Sequence, residues 1–127
     1  MSEPTLFRHF PTKRALYLAA IERSADVLIE HWRELARTAT SPLAALLAVG
    51  QWYFAELQRD PRHLLLRFRS YGEAADPEVG DRVRARFRDV FAFVQALHDA
   101  ARDRGEIAAD TDTRAQTWLF MAIGTLL

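Results

Sequence analysis

Cysteine is absent from the 127 residues of this chain, which excludes disulfides, thiolate metal sites and a thiol nucleophile. No apolar run approaches the roughly 20 residues that a helix needs to cross a bilayer. An excess of one charge is also missing, since 17 Lys and Arg balance 17 Asp and Glu, so the chain as a whole attracts neither nucleic acid nor a membrane surface. These absences predict a cytoplasmic protein without a membrane segment.

Patterns that accompany catalysis or metal binding are missing as well. There is no glycine-rich phosphate loop, and none of the serines has the setting of a nucleophile elbow. The four histidines, His9, His31, His63 and His98, lie far apart, and no two have the i,i+4 spacing of metal ligands on a helix. We therefore expect no enzyme activity, no catalytic residues, no metal site and no cofactor.

The residues that are present favour helices. Half of them are hydrophobic, which excludes a disordered chain, and the length suits one core. Apolar spacing of three and four predicts helices over about 12–37, 42–59, 61–73, 77–104 and from Asp112 onwards. Three of the starts carry a capping residue followed by proline: Ser41-Pro42, Asp60-Pro61 and Asp76-Pro77. Gly105 is expected to end the fourth helix, and the fold class is predicted to be all-α.

Charged residues on these helices favour a solvated surface. Four arginines alternate with other residues in the helix predicted over 77–104: Arg82, Arg84, Arg86 and Arg88. Alternate residues on a helix point about 200° apart, so these side chains do not form one stripe. We expect exposed pairs between them and Glu78, Asp81 and Asp89. Glu22, Asp26 and Glu30 are likewise expected to form a solvated face of the first long helix.

The most specific segment runs from Ser2 to Leu16, S-E-P-T-L-F-R-H-F-P-T-K-R-A-L. Ser2 and Pro4 suit the start of a short helix, and Pro11 breaks it. Thr12 can cap the next helix, which places Lys13 and Arg14 in its first turn. Positive charge there opposes the helix dipole, a conflict that a bound phosphate would relieve.

The run Thr5-Leu6-Phe7-x-His9-Phe10-x-x-Lys13, followed by a long amphipathic helix, resembles the DNA-reading end of TetR/AcrR-family transcriptional regulators. The resemblance implies a TetR-like fold with a partial helix-turn-helix domain over residues 1–20. Residues 21–127 would then form an antiparallel helical bundle for ligand binding and dimerisation. In this family the short helix reads the major groove, while its flanks hold the DNA backbone.

Residue roles follow from the resemblance. Four positions would face base edges or nearby phosphates: Ser2, Glu3, Pro4 and Thr5. Three others would hold the DNA backbone: Phe7, His9 and Lys13. Arg8 adds a positive charge beside them and is counted with the DNA-binding residues. The family usually has tyrosine where this chain has Phe7, which has no hydroxyl to donate to a phosphate.

The resemblance also implies a small-molecule inducer bound between the later helices. Candidate lining residues are aromatic: Trp52, Phe54, Phe68, Tyr71, Phe87, Phe91 and Trp118, with Phe120 beside them. Polar contacts could come from Arg67, Arg69, Tyr71, Gln95 or His98. Each aromatic taken alone is equally well explained as core, so their periodicity does not decide between core and pocket.

Three hypotheses remain open on sequence grounds. The first is a repressor that binds double-stranded operator DNA as a homodimer through its last helices and responds to a small molecule. The second is a ligand-binding and dimerisation module without DNA-binding activity, because the first two helices of the DNA domain and the end of the dimerisation region are expected to be missing. The third is an unstable fragment, prone to aggregate through Trp118, Ile123 and Leu126.

Overall fold

The computed structural model describes residues 5, 8–62, 65–66, 69 and 75–126. Within these ranges the regular elements are all α-helices, which confirms the all-α fold class. The four long ones are α1 (Lys13–Thr38), α2 (Pro42–Arg59), α3 (Pro77–Asp103) and α4 (Thr113–Leu126). The helix predicted over 61–73 falls largely outside the described residues. None of the helices that are described combines the length and apolar composition that a bilayer-spanning helix requires.

Side-chain caps explain where the helices begin. The side chains of Thr12, Ser41 and Asp112 each accept a hydrogen bond from the backbone N–H three residues on, over 3.0, 3.1 and 3.0 Å. Asp76 accepts from two backbone N–H groups, at 3.0 and 3.2 Å. Each cap satisfies a donor that the first helical turn leaves without a partner, so these starts are encoded locally.

The end of α3 is encoded by one glycine. Gly105 has φ +75°, a conformation that residues with a Cβ rarely adopt. The backbone N–H of Glu106 then donates to the carbonyl of Ala101 over 2.9 Å, which closes the helix end in a Schellman arrangement. The end predicted at Gly105 is therefore confirmed.

Helices α1 and α3 lie side by side and run in the same direction. Arg14 near the start of α1 meets Asp76 and Glu78 at the start of α3, while Trp32 farther along α1 packs on Phe93 with ring centroids 6.2 Å apart. Two apolar groups occupy this α1–α3 seam. The small cluster consists of Leu18, Ile21, Val79 and Val83. The main core consists of Leu28, Ile29, Trp32, Leu46, Val49, Val90 and Val94, and it includes residues from α2.

A buried polar contact joins α3 to α4. The Nδ1 atom of His98 lies 3.1 Å from the carbonyl of Val94 and 3.1 Å from the hydroxyl of Thr117. Thr117 donates its one hydroxyl proton to the carbonyl of Thr113 over 2.8 Å, so towards His98 it can only accept a hydrogen bond. The hydrogen of the neutral ring is therefore on Nδ1. Burial lowers the pKa of His98, which keeps the imidazole neutral.

Candidate functional site

The end of the molecule that precedes α1 carries the predicted DNA-binding residues. Arg8, His9 and Lys13 are exposed, and Thr5 is half-buried. Lys13 is the first residue of α1, which Thr12 caps, and it is also the single lysine of the chain. These positions allow contact with an external anion. The other predicted contacts, Ser2, Glu3, Pro4 and Phe7, lie outside the described residues.

Arg14, which the sequence placed with Lys13 as a local positive charge, is held within the protein. Its guanidinium lies 2.5 Å from a carboxylate oxygen of Asp76 and 3.0 Å from one of Glu78. Glu78 was expected to pair with the arginines of its own helix instead, and that expectation is wrong. Among the described residues at this end, the positive charge that remains available belongs to Arg8 and Lys13.

A small cavity interrupts the seam between α1 and α3. This seam cavity has a volume of about 60 Å³ and separates the small cluster from the main core. Its walls are apolar apart from Ser24 and Arg86, the other lining residues being Ile21, Ala25, Leu28, Leu66, Val83, Phe87, Val90 and Met121. Such a lining suits an apolar group with few polar contacts.

A second cavity, of about 170 Å³, lies between α1 and α2. One wall is a pair of stacked rings, since the centroids of His31 and Trp52 are 5.0 Å apart at an interplanar angle of 24°. Glu56, Arg59 and Asp60 line it as well, so this α1–α2 cavity has three charged lining residues, whereas the seam cavity has Arg86. The two cavities meet at α1, because Ser24 and Leu28 line both.

The structure separates the aromatic residues that were predicted to line one pocket. Trp52 lines the α1–α2 cavity, whereas Phe87 lines the seam cavity. Phe91 and Trp118 have centroids 4.8 Å apart, and both rings also contact Phe87, so these three form one group between α3 and α4. Trp118 is nevertheless 48% exposed. The set therefore divides between two cavities and one surface.

The remaining candidates have other surroundings. Phe54 is 37% exposed and makes an edge contact with Tyr53, and it is not among the side chains that line these two cavities. His98, considered as a polar ligand contact, is used between α3 and α4. Phe120 packs edge-on against that histidine, with centroids 6.0 Å apart. Phe68 and Tyr71 lie outside the described residues.

Sequence reasoning missed Ser24 as a site residue. Ser24 lies three residues after Ile21 and four before Leu28, and a polar residue at helical spacing between two apolar ones is the signal that would have identified it. The hydroxyl of Ser24 forms no hydrogen bond with the part of the chain that the structure describes. It is therefore available to a molecule in either cavity.

A group of charged side chains bridges α1 and α3 beside the seam cavity. Arg86 of α3 pairs with Glu22 through Nε over 2.7 Å, with Asp26, and with Asp89 over 3.2 Å. Arg82 reaches Glu22 over 3.4 Å. Burial acts to lower the pKa of Arg86, but hydrogen bonding to Asp89 and the charges of Glu22 and Asp26 outweigh it and raise that pKa. Arg86 is therefore a permanent cation.

This arrangement corrects the prediction of a solvated face. The side chain of Arg86 is only 23% exposed, and Glu22 and Asp26 hold it across a helix interface. Arg84 behaves as predicted, because it is exposed and pairs over 2.8 Å with Asp81 on its own helix. We call Glu22, Asp26, Arg82 and Arg86 the seam charge cluster. Among the residues that the structure covers, no group of three or more potential metal ligands occurs.

Comparison of the sequence with known proteins finds a similarity to a transcriptional regulator. No family model matches the chain. The chain is similar to the HTH-type transcriptional activator FasR of Mycolicibacterium smegmatis (strain ATCC 700084 / mc(2)155), with 28% identity over 124 residues. The match includes 98% of this chain and 52% of that protein, so the chain spans about half the length of this curated relative.

This similarity supports a transcriptional regulator, in line with the expectation that the chain is not an enzyme. The assignment to the TetR/AcrR family and the homodimer remain predictions. The relative is named an activator, whereas the sequence was interpreted as a repressor.

Proposed function

We propose that the protein is a DNA-binding transcriptional regulator of the TetR type, and that a small molecule in the cavities along α1 controls its binding to double-stranded operator DNA. The observation that carries ligand control is the position of one helix. α1 begins at Lys13, beside the predicted DNA-binding residues, and its middle turns line both cavities through Ser24 and Leu28. The likeness to a helix-turn-helix regulator supports the class.

The length of α1 makes this connection mechanical. Its 26 residues form one continuous helix, about 39 Å long at about 1.5 Å per residue. A change in the position of its middle, caused by a ligand, would therefore be transmitted to its first turn. Binding to DNA and binding of the ligand would then favour different positions of α1, which is the requirement for regulation.

A homodimer completes the proposal. Two copies would place two recognition segments on the two halves of a palindromic operator. Trp118, Leu119 and Ile123 of α4 are 48%, 58% and 52% exposed, which supports self-association through this helix. A cytoplasmic location, as proposed from the absence of cysteine, agrees with a role on DNA.

The direction of control is a separate part of the proposal. A repressor was predicted from the segment 2–16, whereas the similar protein is named an activator. A reporter gene under the control of a duplex that the protein selects from a random library tests this directly. Lower expression in the presence of the protein would support a repressor, and higher expression would support an activator.

Lys13 offers a sharp test of DNA binding, because it is the single lysine. Reductive methylation with labelled formaldehyde places one observable ¹³C-dimethyl group at this side chain, apart from the group on the chain terminus. Duplexes enriched from a random library by binding to the protein should shift the Lys13 methyl signal, and scrambled duplexes should not. The same signal unchanged on both duplexes would refute the proposed contact.

One observation favours the alternative of a ligand-binding module that does not bind DNA. Because Arg14 is paired with Asp76 and Glu78, the described residues near the recognition segment leave Arg8 and Lys13 as available positive charges. Stable DNA binding normally uses several phosphate contacts, and a dimer would double the two available here. Failure of the protein to enrich any duplex from the library would favour this alternative.

A further inference from the structure

The seam cavity is too small for the ligand that it is proposed to hold. Its volume is about 60 Å³, whereas an apolar cavity that binds benzene measures about 150 Å³. Enclosing even one aromatic ring therefore requires the walls to move. One wall belongs to α1 and includes Ile21 and Leu28. The opposite wall belongs to α3 and includes Val83 and Val90.

One of the wall residues also holds those two helices together. Arg86 lines the seam cavity, and its guanidinium is bound by Glu22 and Asp26 of α1. The cluster is mostly shielded at its centre, because the Arg86 side chain is 23% exposed, and salt screens such pairs less than fully exposed ones. Widening the cavity by separating α1 from α3 must lengthen these contacts.

The charges around Arg86 also limit the chemistry of the ligand. Its guanidinium already faces three carboxylates, those of Glu22, Asp26 and Asp89, and Arg82 shares the first of them. These three negative charges exceed the two positive charges, so no cation is left over for an anionic ligand. An uncharged apolar molecule fits the remaining wall, because it needs no charged partner.

We infer that the seam charge cluster is a latch on the seam cavity, and that an uncharged apolar molecule at least as large as benzene opens it by separating α1 from α3. The inference rests on the proposed function only where it concerns the effect of the ligand on DNA binding. While the latch is closed, only a small fraction of the protein molecules can bind the ligand. The apparent affinity for the ligand is reduced by that fraction. Weakening the latch therefore increases the affinity.

Two probes with the same carbon skeleton and different charge test the inference: n-butylbenzene, which is neutral, and 4-phenylbutyrate, which is an anion. Calorimetry on the intact protein should detect binding of n-butylbenzene and weaker or undetectable binding of 4-phenylbutyrate. Tighter binding of the anion would overturn the inference, because Arg86 would then be an anchor for carboxylates and not part of a latch.

The latch itself is tested with Arg86→Gln and a matched control, Arg84→Gln. Both remove one arginine charge from α3, but the partner of Arg84 within the described part of the chain is Asp81, one turn away on the same helix. The affinity for n-butylbenzene should rise about five-fold or more in Arg86→Gln, the lower range of typical coupling effects. In the control Arg84→Gln, the affinity for n-butylbenzene should stay within about two-fold of that of the unmodified protein. Equal changes in both variants would contradict a latch.

A distance measurement keeps the test independent of the stability of Arg86→Gln. Because the chain has no cysteine, the exposed Arg23 of α1 and Arg88 of α3 can be replaced by Cys and spin-labelled selectively. Pulsed electron paramagnetic resonance should show that n-butylbenzene changes the distribution of distances between these labels. An unchanged distribution at saturating probe would overturn the inference. None of these readouts involves DNA, so a failure of DNA binding would refute the proposed function alone.

Discussion

At the scale of single residues, His98 links protonation to folding. Its pKa in the folded protein is lowered by burial, so the unfolded chain binds a proton more readily. The stability that this neutral ring contributes is complete above its unfolded pKa of about 6.5 and is lost as the pH falls below that value. Urea unfolding at pH 7.5 and 5.5 should therefore show a loss of stability on acidification.

The variant His98→Asn isolates this effect, because an amide can donate a hydrogen bond from the same region but does not titrate. The loss of stability between pH 7.5 and 5.5 should be smaller in His98→Asn than in the unmodified protein. His9 and His31 are exposed and remain in both proteins as an internal control. An equal loss in both proteins would show that His98 is not the group responsible.

Two glycines should respond to alanine in opposite directions. At Gly50, within α2, an added Cβ would have its nearest neighbour, a ring atom of Phe120, at 4.0 Å, so Gly50→Ala should stabilise by about 0.5–1 kcal/mol through helix propensity. Gly105 has φ +75°, so Gly105→Ala should destabilise by about 1 kcal/mol despite the open space around it. Urea unfolding measures both, and changes of the same sign would contradict this account.

At the scale of elements, the helix boundaries could be predicted from the sequence because their signals are local. The helices predicted over about 12–37, 42–59 and 77–104 are observed at 13–38, 42–59 and 77–103. Each start depends on a cap within three residues, and the end of α3 depends on Gly105. No information from distant parts of the chain was required.

The contacts between helices could not be predicted in the same way. Arg86 and Asp26 are 60 residues apart, and nothing in the spacing of either helix indicates that they meet. The same holds for Arg14 with Asp76 and for the division of the aromatic residues between two cavities. Single-helix periodicity identifies a face, whereas the partner of that face depends on packing of the whole chain.

Asp76 combines a local and a distant role, which a set of variants can separate. Ser41→Ala removes only a cap and should destabilise by about 1 kcal/mol. Asp76→Ala removes a cap and the pair with Arg14, so its effect on the free energy of unfolding should be larger. Asp76→Asn keeps an acceptor for the cap and should have the smallest effect, since exposed ion pairs contribute little. If Asp76→Asn lowers the free energy of unfolding as much as Asp76→Ala, the cap does not contribute more than the ion pair with Arg14.

At the scale of the whole molecule, the exposed face of α4 predicts self-association. Leu119 and Ile123 are 58% and 52% exposed on one helix, and arginine at either position should oppose burial of this face. Sedimentation velocity should show dimers of the protein and a shift to monomers in Ile123→Arg. Arg114→Ala, at an exposed position that lies about 140° around α4 from Leu119, is the control and should remain dimeric. A monomeric unmodified protein would contradict the proposed homodimer.

Across the molecule, α1 is the element on which the proposals converge. Its first residue is Lys13, its middle contributes Ser24 to both cavities, and Glu22 and Asp26 connect it to α3 through Arg86. A regulator of this design needs no catalytic residues. It needs one rigid helix with a different preferred position in each of two states.

Fluorescence anisotropy of duplex DNA from upstream of the protein's own gene is the most direct test of the central claim. The account predicts tight binding that exceeds binding to a scrambled duplex, with Lys13→Ala weakening it and Arg114→Ala, an exposed charge at the start of α4, leaving it unchanged. Weak binding that salt abolishes equally for both duplexes would show only nonspecific attraction by charge and would contradict the account.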